Sequence, residues 1–80
     1  MEWVVYVLKD ADNKFYKGMT SNLSRRISEH KSGHTKTTAR MRLIEVVYSE
    51  KFDTFDEARR RELYFKSAAG RRFLKKHLGP

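Results

Sequence analysis

The segment Trp3–Asp10 (WVVYVLKD) opens on an unbroken run of β-branched and aromatic residues, a pattern that predicts a strand buried on both faces. Asp10–Asn13 (DADN) has turn chemistry, so KFYKGMT (Lys14–Thr20) is expected to return as the second strand of a hairpin. SNLSRRISEHKSG then takes helical spacing, with Ser21 or Asn22 as its N-cap and Gly33 where a left-handed C-terminal residue belongs. A polar, basic loop from His34 leads to a third strand over Arg42–Glu50. Thr54 and Glu57 form a T-x-x-E capping box that opens a second helix from Phe55 to about Ala68. Gly70 is expected to break that helix, and RRFLKKHL to form a short basic third one ending at Gly79–Pro80. The order β-β-α-β-α-α predicts an α+β fold, a small three-stranded, mainly antiparallel sheet flanked by helices.

Three places resist a purely structural reading. In the first helix, Leu23, Ile27 and His30 or Lys31 make the apolar stripe, and Arg26 and His30 sit four apart on its margin. Snorkelling of the arginine and a favourable dipole contact for the histidine are sufficient structural reasons for each alone. In the second helix, Phe55, Ala58, Glu62, Phe65 and Ala69 step by three and four, which puts a carboxylate in the middle of a core-facing stripe. A lone buried carboxylate is costly and needs a cation, a hydrogen-bond donor or a metal; a salt bridge to Arg26, Arg59 or Arg61 would satisfy it. In the second strand, Gly18 weakens the strand and offers nothing to pack. A bulge there is one reading; a cleared approach for a substrate phosphate beside Tyr16 is the other. Tyr6 and Tyr16 are either aromatic packing or two hydroxyls brought to one face by the hairpin, whereas Tyr48 and Tyr64 read as ordinary packing aromatics.

Charge narrows the partner class. Among eighty residues, 18 Lys and Arg face 10 Asp and Glu, a net charge of +8. For so small a chain that is the footprint of a polyanion binder. The basic residues cluster, with Lys17, Arg25, Lys36, Arg40, Arg42, Arg71, Arg72 and Lys75 as candidate backbone-phosphate contacts, which position a duplex without reading its sequence. The absence of cysteine excludes disulfides and thiolate metal sites. The composition, 39% apolar and 35% charged, suits one folded domain over residues 1–80. The apolar start is too short to span a bilayer and lacks a basic leader, so no membrane is expected and the expected location is the cytoplasm.

Taken in order, VVY (Val4–Tyr6), YKG (Tyr16–Gly18), the R-x-x-x-H of Arg26 and His30, and Glu62 in FDTFDEARRRELYFKS resemble the GIY-YIG nuclease superfamily, as a small stand-alone member. The likeness covers about Trp3 to His77. Val4 stands in place of the first glycine of the motif and Lys17 in place of the second isoleucine; both tyrosines and Gly18 remain. What the resemblance implies is a divalent-metal-dependent endonuclease, acting on nucleic acid with structure-selective DNA favoured over RNA, and DNA repair as its setting. It implies catalytic roles for Tyr6, Tyr16, Arg26, His30 and Glu62. Glu62 would hold Mg²⁺ (or Mn²⁺), an ion that binds through one or two carboxylates and keeps its waters. Arg26 would grip the phosphoryl oxygens through its planar fork. Tyr6 or Tyr16 would position or deprotonate the attacking water, against an ordinary tyrosine pKa of about 10, and His30 would move a proton or orient a phenol. A nucleic-acid-binding module without catalysis is the alternative, motivated by the charge and by the altered first motif. Partner proteins are not indicated.

Overall fold

The computed structural model describes residues 2–32 and 43–78. Strand β1 (Trp3–Lys9) and strand β2 (Phe15–Thr20) form the hairpin; helix α1 (Leu23–Lys31), strand β3 (Glu45–Phe52), helix α2 (Phe55–Lys66) and helix α3 (Ala68–Leu78) follow. The sheet order is β2-β1-β3 and both pairings are antiparallel. This is the expected α+β architecture in the expected element order.

The central place of β1 explains its continuous apolar run. Val5 and Val7 pack on one side with Ala58 and Phe65 of α2 and Leu74 of α3. Tyr6 and Leu8, turned the other way by the strand period of two, pack with Ile44, Tyr16, and Leu23 and Ile27 of α1. A central strand has no solvated face, so alternation of apolar and polar residues would have left a polar group buried.

Local chemistry closes the hairpin. The Asp10 carboxylate accepts from the backbone N–H of Asp12 and of Lys14, each at 2.9 Å. Asn13 takes the left-handed conformation (φ 63°), which asparagine tolerates better than most residues. Of the two candidate caps for α1, Asn22 does the work, its side chain accepting from Arg25 N–H at 3.1 Å. Thr54 caps α2 through the Glu57 N–H and donates its hydroxyl to the Glu57 carboxylate at 2.9 Å.

Two boundaries differ from expectation. Strand β3 runs from Glu45 to Phe52 instead of starting at Arg42 and stopping at Glu50. Lys51 and Phe52 continue the ladder because β1 still offers Val4 and Trp3 as partners, and the register shifts between Val7 and Leu8. Helix α2 ends at Lys66 and Gly70 does not break it; Ser67 does, leaving the helical conformation (ψ 166°) and accepting at its hydroxyl from the Gly70 N–H. Gly70 is buried inside α3, where a Cβ would overlap the Tyr64 carbonyl oxygen and stand 2.6 Å from Phe65 Cα. Its purpose is close packing of α3 on the end of α2, not helix termination. Ala69 consequently belongs to α3 and is exposed, and Phe55, half exposed, meets Trp3 edge-on at 5.2 Å. The proposed C-cap Gly33 and the basic segment 34–42 lie outside the described residues. Among the described residues, no helix is long and apolar enough to cross a membrane.

Candidate active site

Tyr6 sits in the middle of the central strand, directly opposite Gly18 of β2. A Cβ at Gly18 would stand 2.6 Å from the Tyr6 Oη and 2.7 Å from its Cζ, and 3.2 Å from Tyr16 Cε1. The space left by the glycine is therefore filled by the phenol of Tyr6. This corrects both earlier readings: it is not an open approach for a phosphate, and the β1–β2 register runs through Gly18 without a bulge.

The buried Tyr6 hydroxyl lies 2.9 Å from His30 Nε2. Helical spacing delivers the rest: Arg26, one turn before His30, lies close enough to Tyr6 and Tyr16 for both phenols to favour its charge, and it is held from behind by Glu29 at 3.2 Å. The Tyr16 ring stands 4.9 Å from that of His30 and 6.3 Å from that of Tyr6. Four of the five expected catalytic side chains thus meet on the α1 side of the sheet.

Burial sets their protonation. Desolvation pushes the Tyr6 phenol up to about 12, against the opposing pull of the Arg26 hydrogen bond. His30 is held below its ordinary value, first by burial and then by the Arg26 charge, so its imidazole is neutral at pH 7. Arg26 is raised, chiefly by its bond to Tyr6, and stays a cation.

Glu62 comes from α2. It is 6% exposed and lies on the same buried helix face as Ala58 and Phe65. One carboxylate oxygen meets Arg59 Nη1 at 2.6 Å and the other Lys66 Nζ at 3.3 Å. Of the three arginines considered from sequence, Arg59 is the partner. Arg61 pairs instead with Glu50 at 2.7 Å and covers the Tyr64 and Phe65 rings, and Arg26 remains with the tyrosines. Glu62 acts on the tyrosine cluster through its field, which adds to the rise of the Tyr6 phenol. Lys66 was not anticipated, although its i, i+4 spacing from Glu62 is legible in the sequence.

No group of three or more His, Cys, Asp or Glu side chains gathers to cage a metal among the described residues. A single buried carboxylate suits an ion that retains most of its water, and Mg²⁺ is such an ion. Both cations on Glu62 are half exposed, at 49%, so each can swing into solvent while the carboxylate stays in place. The residues present therefore fit one hydrated divalent ion.

Between β2 and the α2–α3 corner lies a cleft of about 420 Å³ lined by Phe15, Tyr16, Lys17, Lys66 and Arg71. The ammonium of Lys17 is depressed by burial and then by the charges of Arg71 and Lys66. Arg25, Arg72 and Lys75 are exposed on the helices, while Lys36, Arg40 and Arg42 lie outside the described residues.

Residues 2–77 match the GIY-YIG catalytic domain. The chain belongs to the GIY-YIG family. That is a nuclease family whose substrates are nucleic acids and whose members generally use divalent metals. Relatives of this GIY-YIG chain include a UPF0213 protein of Listeria innocua, 42% identical over 81% of this chain and 73% of the relative. UPF0213 protein YazA of Bacillus subtilis is 40% identical over 76% of this chain and 63% of its own length. The solution NMR structure of a UPF0213 protein from Bacillus halodurans superposes with a TM-score of 0.61 at 32% identity, covering 99% of this chain and 87% of the other.

Proposed function

We propose that this chain is a divalent-metal-dependent endonuclease that hydrolyses phosphodiester bonds, with structure-selective DNA as its substrate. The observation that carries the reading is the gathering of Tyr6, Tyr16, Arg26 and His30 around the Tyr6–His30 hydrogen bond, within the field of a buried Glu62.

The two tyrosines divide the work by exposure. Tyr6 is 1% exposed and held protonated, so it serves as a positioning residue. Its hydroxyl shares a 2.9 Å hydrogen bond with His30 Nε2, and its proximity to Arg26 aims the guanidinium. Tyr16 is partly exposed and lines the cleft, so its hydroxyl is the one that faces the attacking water. The water oxygen forms a bond to phosphorus as the bond to the leaving ester oxygen breaks. Tyr16 orients the water, whose proton passes to solvent or through the phenol, while Arg26 donates to the phosphoryl oxygens as charge develops. Glu62 would hold Mg²⁺ or Mn²⁺, which supplies Lewis-acid stabilisation of the phosphate and the leaving oxygen.

Incubating the protein with branched, flapped, nicked and single-stranded substrates plus Mg²⁺ or Mn²⁺ is expected to show cleavage that Glu62→Ala lowers by about 10²–10³-fold. Cleavage unchanged in that variant, or absent on every substrate, overturns the reading.

A binding module without catalysis draws support from one feature: Arg59 and Lys66 already neutralise both carboxylate oxygens of Glu62. Such a module would bind with steep salt dependence and never cut. Cutting by the wild-type protein, with Arg26→Ala still binding but inactive, excludes it.

A further inference from the structure

The cleft beside Tyr16 has features that the catalytic cluster does not use. Lys17, Lys66 and Arg71 come from three different elements, β2, α2 and α3, and converge on a space of about 420 Å³, within the range of small-ligand sites. Among the described residues no acidic side chain lines it, and Phe15 and Tyr16, turned to opposite faces of β2, both border it. Lys66 already meets Glu62, but Lys17 and Arg71 add two further like charges to the same space, and gathering like charges opposes folding unless an anion enters. Lys17 is also the position where the family motif carries an apolar isoleucine. The cleft touches both halves of the site: Tyr16 belongs to it and to the Arg26–His30 cluster, while Lys66 belongs to it and to Glu62.

We propose that this cleft is a single-nucleotide subsite, in which Lys17, Lys66 and Arg71 take the phosphate of a strand nucleotide and one aromatic ring at its border, Phe15 or Tyr16, receives its base. The proposal rests on the nuclease reading for the identity of the strand, and extends it by naming what is held next to the reacting phosphate. An aromatic ring with flanking cations is the combination that retains single-stranded nucleotides irrespective of sequence, because every base has a stacking face. An unpaired nucleotide beside the cut is what flapped or branched substrates offer and uninterrupted duplex does not. Lys66 links this subsite to the carboxylate. An ammonium drawn toward a bound phosphate leaves Glu62, so occupation of the cleft favours entry of the divalent ion, and entry of the ion favours occupation.

The test uses the ¹⁵N-labelled full chain in EDTA, titrated with a 5′-phosphorylated thymidine dinucleotide, the same dinucleotide without its 5′-phosphate, and inorganic phosphate. The phosphorylated dinucleotide is expected to give saturable amide shifts centred on Tyr16, Lys17, Lys66 and Arg71. Lys17→Ile, a strand-compatible change, is expected to weaken it roughly tenfold at 0.1 M salt, the loss of about one phosphate contact. Arg71→Gln, at an exposed helical position, gives a second reading should the strand variant fold poorly. Shifts centred on Arg72 and Lys75, or affinity unchanged in both variants, overturn the subsite. Inorganic phosphate binding as tightly as the dinucleotide overturns the nucleotide assignment. Because no metal is present, the outcome is independent of cleavage. A chain that binds here but never cuts loses only the nuclease reading, and one that cuts with a normal Lys17→Ile affinity loses only the subsite.

Discussion

The two sides of the sheet are built from alternate residues of one strand, yet they serve opposite ends. On the α2–α3 side, Val5 and Val7 meet Ala58, Phe65 and Leu74, an apolar cluster with the Glu62 carboxylate on the same face of α2. On the α1 side, Tyr6 and His30 are equally buried, but their polar atoms are paired with each other beside the Arg26 charge. The dry side holds the fold by removing apolar surface from water. The polar side cannot add much stability, since a buried hydrogen bond nets little against its desolvation. It instead holds a guanidinium and an imidazole in fixed geometry at the edge of a cleft. A period of two lets seven residues of β1 furnish both.

Truncating the dry side gives the largest effect. Phe65→Ala is expected to cost about 3–5 kcal/mol of stability, read by denaturant titration, because its neighbours cannot collapse around the void. A loss under 1 kcal/mol would mean that this side is not the principal core. Next comes the carboxylate that the dry side lends to the reaction. Glu62→Ala is expected to lower cleavage by about 10²–10³-fold, the usual cost of one transition-state partner, while circular dichroism shows the fold retained.

Gly18 couples the two roles and gives an intermediate effect. Gly18→Ala places a methyl group against the Tyr6 phenol and is expected to cost about 1–3 kcal/mol, as overpacking does. Stability and cleavage should fall together, since displacing Tyr6 also releases Arg26 and His30; a loss of cleavage at full stability would return the gap to the substrate.

The smallest effect is a pH dependence confined to the polar side. The unfolded chain protonates His30 near the ordinary value of about 6.5, whereas the folded chain, by burial and the Arg26 charge, does so only at lower pH. Stability is therefore complete above that value and declines as pH falls below it. Thermal melts between pH 8 and 5 are expected to show the decline, and His30→Gln to flatten it relative to wild type. Tyr6, Tyr16, Arg26 and Glu29 face the same imidazole, and Glu29→Gln is the control for the carboxylate among them.

Much of the architecture was legible in short stretches of chain. The β-branched run of β1, the DADN turn, the caps at Asn22 and Thr54, and the stripe of Ala58, Glu62 and Phe65 all depend on interactions within a few residues. The ends of elements were less legible. Whether β3 continues to Phe52 depends on what β1 offers opposite it, and whether a glycine ends a helix or admits a neighbour depends on what packs against it. Gly18 and Gly70 were both misread for that reason: an absent side chain carries no local sign of what occupies its space.

Residue type, periodicity and capping were sufficient to specify the elements and their order, and to mark Glu62 as a carboxylate on an apolar face, because each of these follows from the chain's own neighbours. Only packing across the sheet decided that the Gly18 gap holds Tyr6 and that Lys17, Lys66 and Arg71 surround one cleft. Those pairings join residues up to 54 positions apart, Lys17 and Arg71, and no short-range rule of sequence connects them. Distances of that kind are set when the hairpin, α1 and the α2–α3 corner close on β1 together.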